Sequence, residues 1–319
     1  GLPELGAHVD DTTAYQVYHN IEENAASTTA VKETDGMLLT YEGEAAGNYY
    51  YSTSCGAGTD VISWQGGSGE EVPYLQGGRI SMVYGQNEAE DVMREEEEAQ
   101  TVDEADGFDA ESLREEEVFR QFIAEVHEED LEKEEPWYRW TYRVEELDEE
   151  EILARLQERQ EKKPACVLTK AEGDYYVSEP VKKTGKIKSM EITGRGAGGI
   201  AQELTIEAEK GKFKVLSEYN IRYVLCDGKS TVTKQDGSTT APGALLPSGF
   251  FVLDPVFRSG KNGENVVGYT LSGGGFGHGV GMSQNGAKAL GLTGASYGQI
   301  LMRFYPGCEI TDAETLKER

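Results

Sequence analysis

The chain has 319 residues, 38% of them hydrophobic, which suits one large domain or two modest ones and supplies a core for part of that length. A formal net charge of −28 repels nucleic acid and anionic membrane surfaces at long range and excludes both as natural partners. No run approaches the roughly 18 apolar residues of a membrane span, and stretches such as "GALLPSGFFVL" are interrupted by Pro and Gly.

From Gly1, "GLPELG" has no basic, apolar and small-residue succession, so any signal or anchor is expected upstream of it. A helix is expected over Glu22 to Thr34. Two strands joined by a glycine-containing turn follow in "GMLLTYEGEAAGNYYYSTSC". In "YYYSTSCG" the alternation of a strand presents Tyr50, Tyr51, Ser52 and Ser54 as aromatic rings beside hydroxyls. Such a surface suits a sugar, whose apolar face stacks on rings while its rim takes hydrogen bonds; the same letters are also plain β-favoured sequence. Trp64 in "ISWQGG", with Tyr74, either extends that platform or packs under a loop.

Between Asn87 and Glu135 the composition changes to about five acidic residues for every basic one. We expect 88–135 to be a flexible, solvated insertion that can be deleted without loss of the fold, because such a block buries too little apolar surface to offset chain entropy. Within it "EEEVFRQFIAEV" has Val118, Phe119, Phe122 and Val126 near one helical face. The alternative is an acidic arm that binds a partner or attracts cations. The folded halves would then be 1–87 and 136–310, with a tail over 311–319.

Beyond the block, "EPWYRWTYRVEELDEEEILARLQERQEK" reads as an aromatic strand and a helix, and the region from Lys186 to Leu225 as strands separated by glycine turns. Ser296 and Gln299 have capping-box spacing, and Pro306 with Gly307 ends that last helix. The class is α+β, a mostly antiparallel sheet with flanking helices. Cys55, Cys166, Cys226 and Cys308 form no CxxC pair, which excludes a zinc ribbon and leaves one or two long-range disulfides open.

"GGGFGHGVGMSQNGA", from Gly273 to Ala287, holds His278 on a loop whose glycines permit left-handed angles and close backbone approach. Ser283 is placed to N-cap the following helix, where backbone N–H groups face a polar ligand. The alternative is a structural loop with its imidazole bonded to a backbone carbonyl. The spacing fits neither a phosphate loop nor a nucleophile elbow.

"YYYSTSCG", "ISWQGG", "VPYLQGG" and "FGHGVGMSQNGAKALGLTGASYGQILMRFYPG" together closely resemble the SpoIID/LytB family of stage II sporulation protein D. The resemblance skips the acidic block. It implies a SpoIID-like domain that, in the intact protein, is a peptidoglycan lytic transglycosylase. That enzyme cleaves the MurNAc–GlcNAc bond of glycan strands stripped of stem peptides, in sporulation (engulfment) or cell-wall remodelling. One carboxylic acid would protonate the glycosidic oxygen and then, as base, help the 6-hydroxyl of N-acetylmuramic acid attack its own anomeric carbon. The family's glutamate lies upstream of Gly1, so no catalytic residue is assigned. Substrate binding is carried over to Tyr50, Tyr51, Ser52, Ser54, Trp64, His278, Ser283 and Gln284.

The resemblance also implies peptidoglycan glycan strands, a partner amidase and membrane sporulation proteins (SpoIIP- and SpoIIM-like) as partners. It implies an extracytoplasmic place, in the cell wall or between mother cell and forespore membranes, and no cofactor. Some relatives carry zinc, but His8 here is followed by Asp10, Ala14 and Tyr15 where ligands would stand, so no metal is expected. Cys55 replaces a glycine usual after the Ser-Thr-Ser run. Two further readings stand beside the enzyme: a non-catalytic cell-wall-binding or amidase-enhancer module, and a hydrolase pairing Ser283 with His278.

Overall fold

A computed structural model describes residues 22–67, 69–82, 107–260 and 263–316, and the chain divides into a large unit, residues 47–308, and a small one, residues 1–46 with 309–319. In the small unit the expected helix covers Ala25–Glu33, capped by Asn24, whose side chain accepts from the Ala26 N–H. Strand Met37–Tyr41 turns back through Glu42 and Gly43, both at positive φ, into Glu44–Ala45. Its other edge pairs antiparallel with Glu309–Asp312.

The large unit opens with β1 (Tyr50–Tyr51) and a single-turn helix, α1 (Val61–Trp64). Beyond residue 106 come α2 (Glu116–Ala124), β2 (Trp140–Val144), α3 (Glu149–Lys162), β3 (Val167–Lys170), β4 (Ile187–Arg195), β5 (Ala201–Ala208), β6 (Gly211–Leu216) and α4 (Glu218–Leu225). The chain continues through β7 (Val232–Lys234), β8 (Phe251–Gly260), β9 (Gly263–Gly273), β10 (Met282–Ser283), α5 (Gln284–Leu292) and α6 (Tyr297–Phe304). Residues Tyr176–Val177, β3, β6, β5 and β4 make one five-stranded antiparallel sheet in that order. A second runs Thr239–Thr240, β7, β2, β9, β8, also antiparallel.

The architecture is α+β, and period-2 patterning explains it. In β2 Trp140, Tyr142 and Val144 are buried while Thr141 and Arg143 face water. Their inner faces join Leu204, Ile206, Phe213 and Val215 of the first sheet in one cluster, completed by Ile152 and Leu156 of α3 and Ile221 and Val224 of α4. The Met190 N–H of β4 donates to the Tyr269 hydroxyl of β9, a polar tie between the sheets. The helix ends follow their signals: Asp148 caps α3, and Ser296 with Gln299 forms the full capping box of α6.

The expectation of a flexible, removable insertion over 88–135 is corrected for its second half. Residues 107–135 are folded into the large unit; the rest of the block lies outside the described residues. Leu113, Phe119 and Phe122 are fully buried in a second core cluster with Cys55, Ala57, Ile200, Phe250 and Val252. Val126, expected on the same face, is exposed, because α2 ends at Ala124. The acidic side chains here are not all solvated either. Asp130 forms a buried ion pair with Arg79 at 2.7 Å and accepts from the Tyr138 hydroxyl at 2.6 Å. Composition averaged over the block conceals this, since a few large apolar residues at helical spacing are enough to anchor it.

All four cysteines are free and buried, so the disulfides left open by their spacing are not formed. Among the described residues no helix is long and apolar enough to cross a membrane.

Replacing Phe122 by Ala should cost about 3–5 kcal/mol of stability in urea unfolding, whereas Val126→Ala should stay within about 0.5 kcal/mol. Equal small effects would mean that the 107–135 segment is not part of the core.

Candidate functional site

The glycine motif folds back on the strand bearing the tyrosine run. Phe276 and Thr53 exchange backbone hydrogen bonds at 2.8 and 3.2 Å, Thr59 N–H donates to the Gly279 carbonyl at 2.8 Å, and β10 pairs in parallel with β1, Met282 opposite Tyr50 and Ser283 opposite Tyr51. The closeness requires glycine. Gly281 has φ 72°, and a Cβ there would overlap the Tyr49 carbonyl oxygen; at Gly279, φ 81°, it would meet the Phe250 ring at 2.5 Å.

This closure places His278 among three rings. Its imidazole lies 5.0 Å from Trp64, 5.7 Å from Tyr51 and 6.2 Å from Tyr49, and Tyr49 meets Trp64 edge-on at 5.2 Å. Both ring nitrogens are bound to backbone. Nδ1 accepts from the Val280 N–H at 3.1 Å, so Nε2 carries the proton and donates to the Tyr50 carbonyl at 3.0 Å. Burial, with a smaller contribution from Arg222, pushes the imidazole pKa down to about 4 despite the Tyr50 bond. The ring is therefore neutral at pH 7 and built into the loop, which favours the structural alternative for its nitrogens; its face remains part of an aromatic surface.

Trp64 is equally fixed. Its indole N–H donates to Glu218 Oε1 at 3.1 Å, and Glu218 is held by Arg222 at 2.8 Å. Asp60 caps the turn that carries Trp64 by accepting from the Ser63 N–H at 2.5 Å.

At the centre lies Glu132, 1% exposed. Its Oε1 accepts from the Ser54 N–H at 3.0 Å and the Ser283 hydroxyl at 2.5 Å, and its Oε2 accepts from the Ser54 hydroxyl. Burial raises the carboxyl pKa above the usual glutamate range; the bonds from Ser283 and Ser54 pull the other way and do not cancel it.

The eight substrate-binding candidates thus divide. Tyr50 is exposed, Ser52 is partly exposed with its hydroxyl 3.2 Å from that of Thr53, Gln284 is exposed at the start of α5, and Trp64 and His278 form the partly exposed ring surface. Tyr51, Ser54 and Ser283 are corrected: they are buried, and the two serines are spent on Glu132. Ser283 does cap α5, with the Gly286 N–H at 3.4 Å. The Ser283–His278 hydrolase pair is not formed, since Ser283 faces Glu132 and both imidazole nitrogens face backbone. Tyr74, offered as an extension of the platform, is buried, its hydroxyl accepting from the Gly47 N–H at 2.9 Å.

Sequence reasoning missed Glu132, hidden in a run of acids, and Tyr49, which the period-2 rule could have found beside Tyr51. The positions of the zinc pattern, His8, Asp10, Ala14 and Tyr15, lie outside the described residues. Among the described residues no group of three or more His, Cys, Asp or Glu could hold a metal ion.

A proton NMR titration should find His278 neutral down to a midpoint of about 4. A depressed histidine stabilises the fold above its unfolded pKa of about 6.5 and loses that contribution as pH falls through the folded value; a midpoint near 6.5 would refute the buried-ring geometry. Glu132 has the opposite sign. With its folded pKa raised, its contribution is full below the ordinary glutamate pKa of about 4.3 and is lost as pH rises through the folded value. The stability of the native protein relative to Glu132→Gln should therefore fall as pH rises into the neutral range, and a flat difference in urea midpoints would contradict this.

The chain is 26% identical over 312 residues to a protein of Bacillus subtilis (strain 168) named Amidase enhancer. That match takes in 97% of this chain but 36% of the other protein, so the chain spans about a third of that relative's length. Residues 64–281, most of the large unit, match the family described as a domain of unknown function (DUF8618), and the chain belongs to that family.

Proposed function

We propose that this chain is a cell-wall glycan-binding module of the SpoIID/LytB type that assists a peptidoglycan amidase outside the cytoplasmic membrane. The observation that carries the reading is the rigid ring surface of Trp64, Tyr49 and His278 beside exposed Tyr50 and Ser52. Flat aromatic faces next to hydroxyls and backbone carbonyls suit an N-acetylated sugar, and little conformational entropy is lost because the rings are already fixed. The similarity to a protein named Amidase enhancer supports the same reading.

The two buried carboxylates at this site, Glu132 and Glu218, serve structure. Glu132 is enclosed by serines, and Glu218 is held between Trp64 and Arg222. Both are buried and bonded within the protein, whereas a general acid must reach its substrate. The second reading, a lytic transglycosylase whose acid lies upstream of Gly1, draws on the glycine motif. There this chain would supply the glycan wall and the upstream carboxyl the proton.

Purified residues 1–319 should sediment with peptide-free glycan, raise the rate of a wall amidase on intact sacculi, and release no anhydromuramyl ends detectable by mass spectrometry. Trp64→Ala should weaken glycan binding about fivefold, the loss of one stacking contact. Anhydro-ended products from this chain would replace the module reading with the enzyme; no association with glycan would remove both.

A further inference from the structure

The second sheet has a solvent face that the site above does not use. On it Thr233 of β7, Thr141 of β2 and Ser272 of β9 stand in register across three adjacent strands. Paired residues share a face, so their hydroxyls form a row at the strand spacing of about 4.8 Å. None of the three hydroxyls makes a hydrogen bond among the described residues. They line a groove of about 430 Å³, one wall of which is α2 with Arg120, Ile123 and Ala124.

Charge distinguishes this groove in a chain of net charge −28. Arg120 is neutralised by Asp254 at 2.7 Å. Lys234 and Arg139, which also line it, have no ion pair among the described residues. Arg139 spends its N–H groups on carbonyls of Glu125, Phe122, Cys55 and Tyr138 and on the Tyr138 hydroxyl, so its position is fixed while its charge is uncompensated. The Lys234 ammonium sits 4.8 Å from the centre of the Trp137 ring and donates no hydrogen bond among the described residues. Asp236 feels the lysine's charge, but its carboxylate is turned to Ser238.

Trp137 connects the groove to the glycine motif. Its ring lies 4.7 Å from that of Phe276, which is 41% exposed and two residues before His278, and its carbonyl accepts from the Gly275 N–H at 2.8 Å. A ring beside Lys234, a row of free hydroxyls on the floor and two cations without ion pairs describe one ligand chemistry: a hydroxyl-rich chain carrying carboxylates. The hydroxyl spacing is close to the advance of one sugar in an extended β-linked glycan. An acidic peptide fits less well, because the floor strands have spent their backbone N–H and C=O groups on each other.

We infer that the groove between α2 and the outer face of the second sheet is a second glycan-contact site, in which Lys234 engages the lactyl carboxylates of muramic acid residues, Arg139 adds positive charge through space, and Thr233, Thr141 and Ser272 engage sugar hydroxyls. The inference rests on the glycan-binding reading above and adds to it a second contact surface, one that reads the lactyl carboxylate. A strand whose lactyl group is amide-linked to a stem peptide has lost that negative charge.

The test is calorimetric titration of residues 1–319 with peptide-free oligosaccharides of alternating GlcNAc and MurNAc, the same oligosaccharides with carboxylates reduced to alcohols, and poly(glycerol phosphate). Lys234→Glu should weaken binding of the acidic glycan about tenfold and Lys234→Ala less, with unchanged melting temperatures. The reduced glycan should bind the native chain more weakly and be insensitive to both variants. Equal affinity of the native chain and Lys234→Glu for the acidic glycan would overturn the inference, as would a preference for poly(glycerol phosphate). If Trp64→Ala weakens binding while Lys234→Glu does not, the module reading stands and the groove is excluded; if the native chain binds no glycan, both fall.

Discussion

Three stretches far apart in sequence meet on one buried carboxylate. Glu132 takes the hydroxyls of Ser54, just after the tyrosine strand, and of Ser283, at the start of the motif helix. Removing the carboxylate would leave two buried hydroxyls and a backbone N–H with no acceptor, and breaking such a network costs more than any one of its bonds is worth. The arrangement holds the parallel pairing of β1 with β10, a contact of two residues per strand that could not persist by its ladder alone. With that pairing lost, the ring surface would lose its backing, because His278 is anchored to the Tyr50 carbonyl of the same strand.

The loop between those anchors shows what the glycine repeat supports. At Gly279 and Gly281 the backbone runs against a ring and a carbonyl, so the histidine one residue from Gly279 is delivered to a fixed place. Its two nitrogens complete the backbone bonding of the loop. The resulting site is preorganised: it offers shape and ring faces, and its imidazole is neutral at pH 7. Trp137 and Phe276 extend the same loop's influence toward the groove on the second sheet.

Where local rules govern, the fold was legible in the letters. The aromatic strand at Trp140, the helix after Asp148 and the Ser296–Gln299 capping box follow from period-2 alternation and cap chemistry, which depend on neighbours a few residues away. The errors lie where distant contacts decide. Ser54 and Ser283 belong to a pattern that reads as ligand-facing, and only the arrival of Glu132 from another segment turns them inward. Likewise Phe119 and Phe122 sit in a stretch whose average composition describes a solvated chain, while two rings are enough to seat the segment. The glycine motif was recognisable as a loop of close backbone approach, with the Ser283 cap and a carbonyl-bound imidazole among its readings, but the bond from Ser283 to Glu132 was not.

The buried cysteines have a consequence for how the protein meets oxidants. Cys55 is enclosed, with its thiol pushed up to about 11 by loss of solvent, and the other three are buried and unpaired. A thiol that is neither ionised nor reachable does not exchange with disulfides. The folded protein is therefore indifferent to redox potential, and the hazard is confined to the interval before folding is complete, when four exposed thiols could cross-link in wrong pairs.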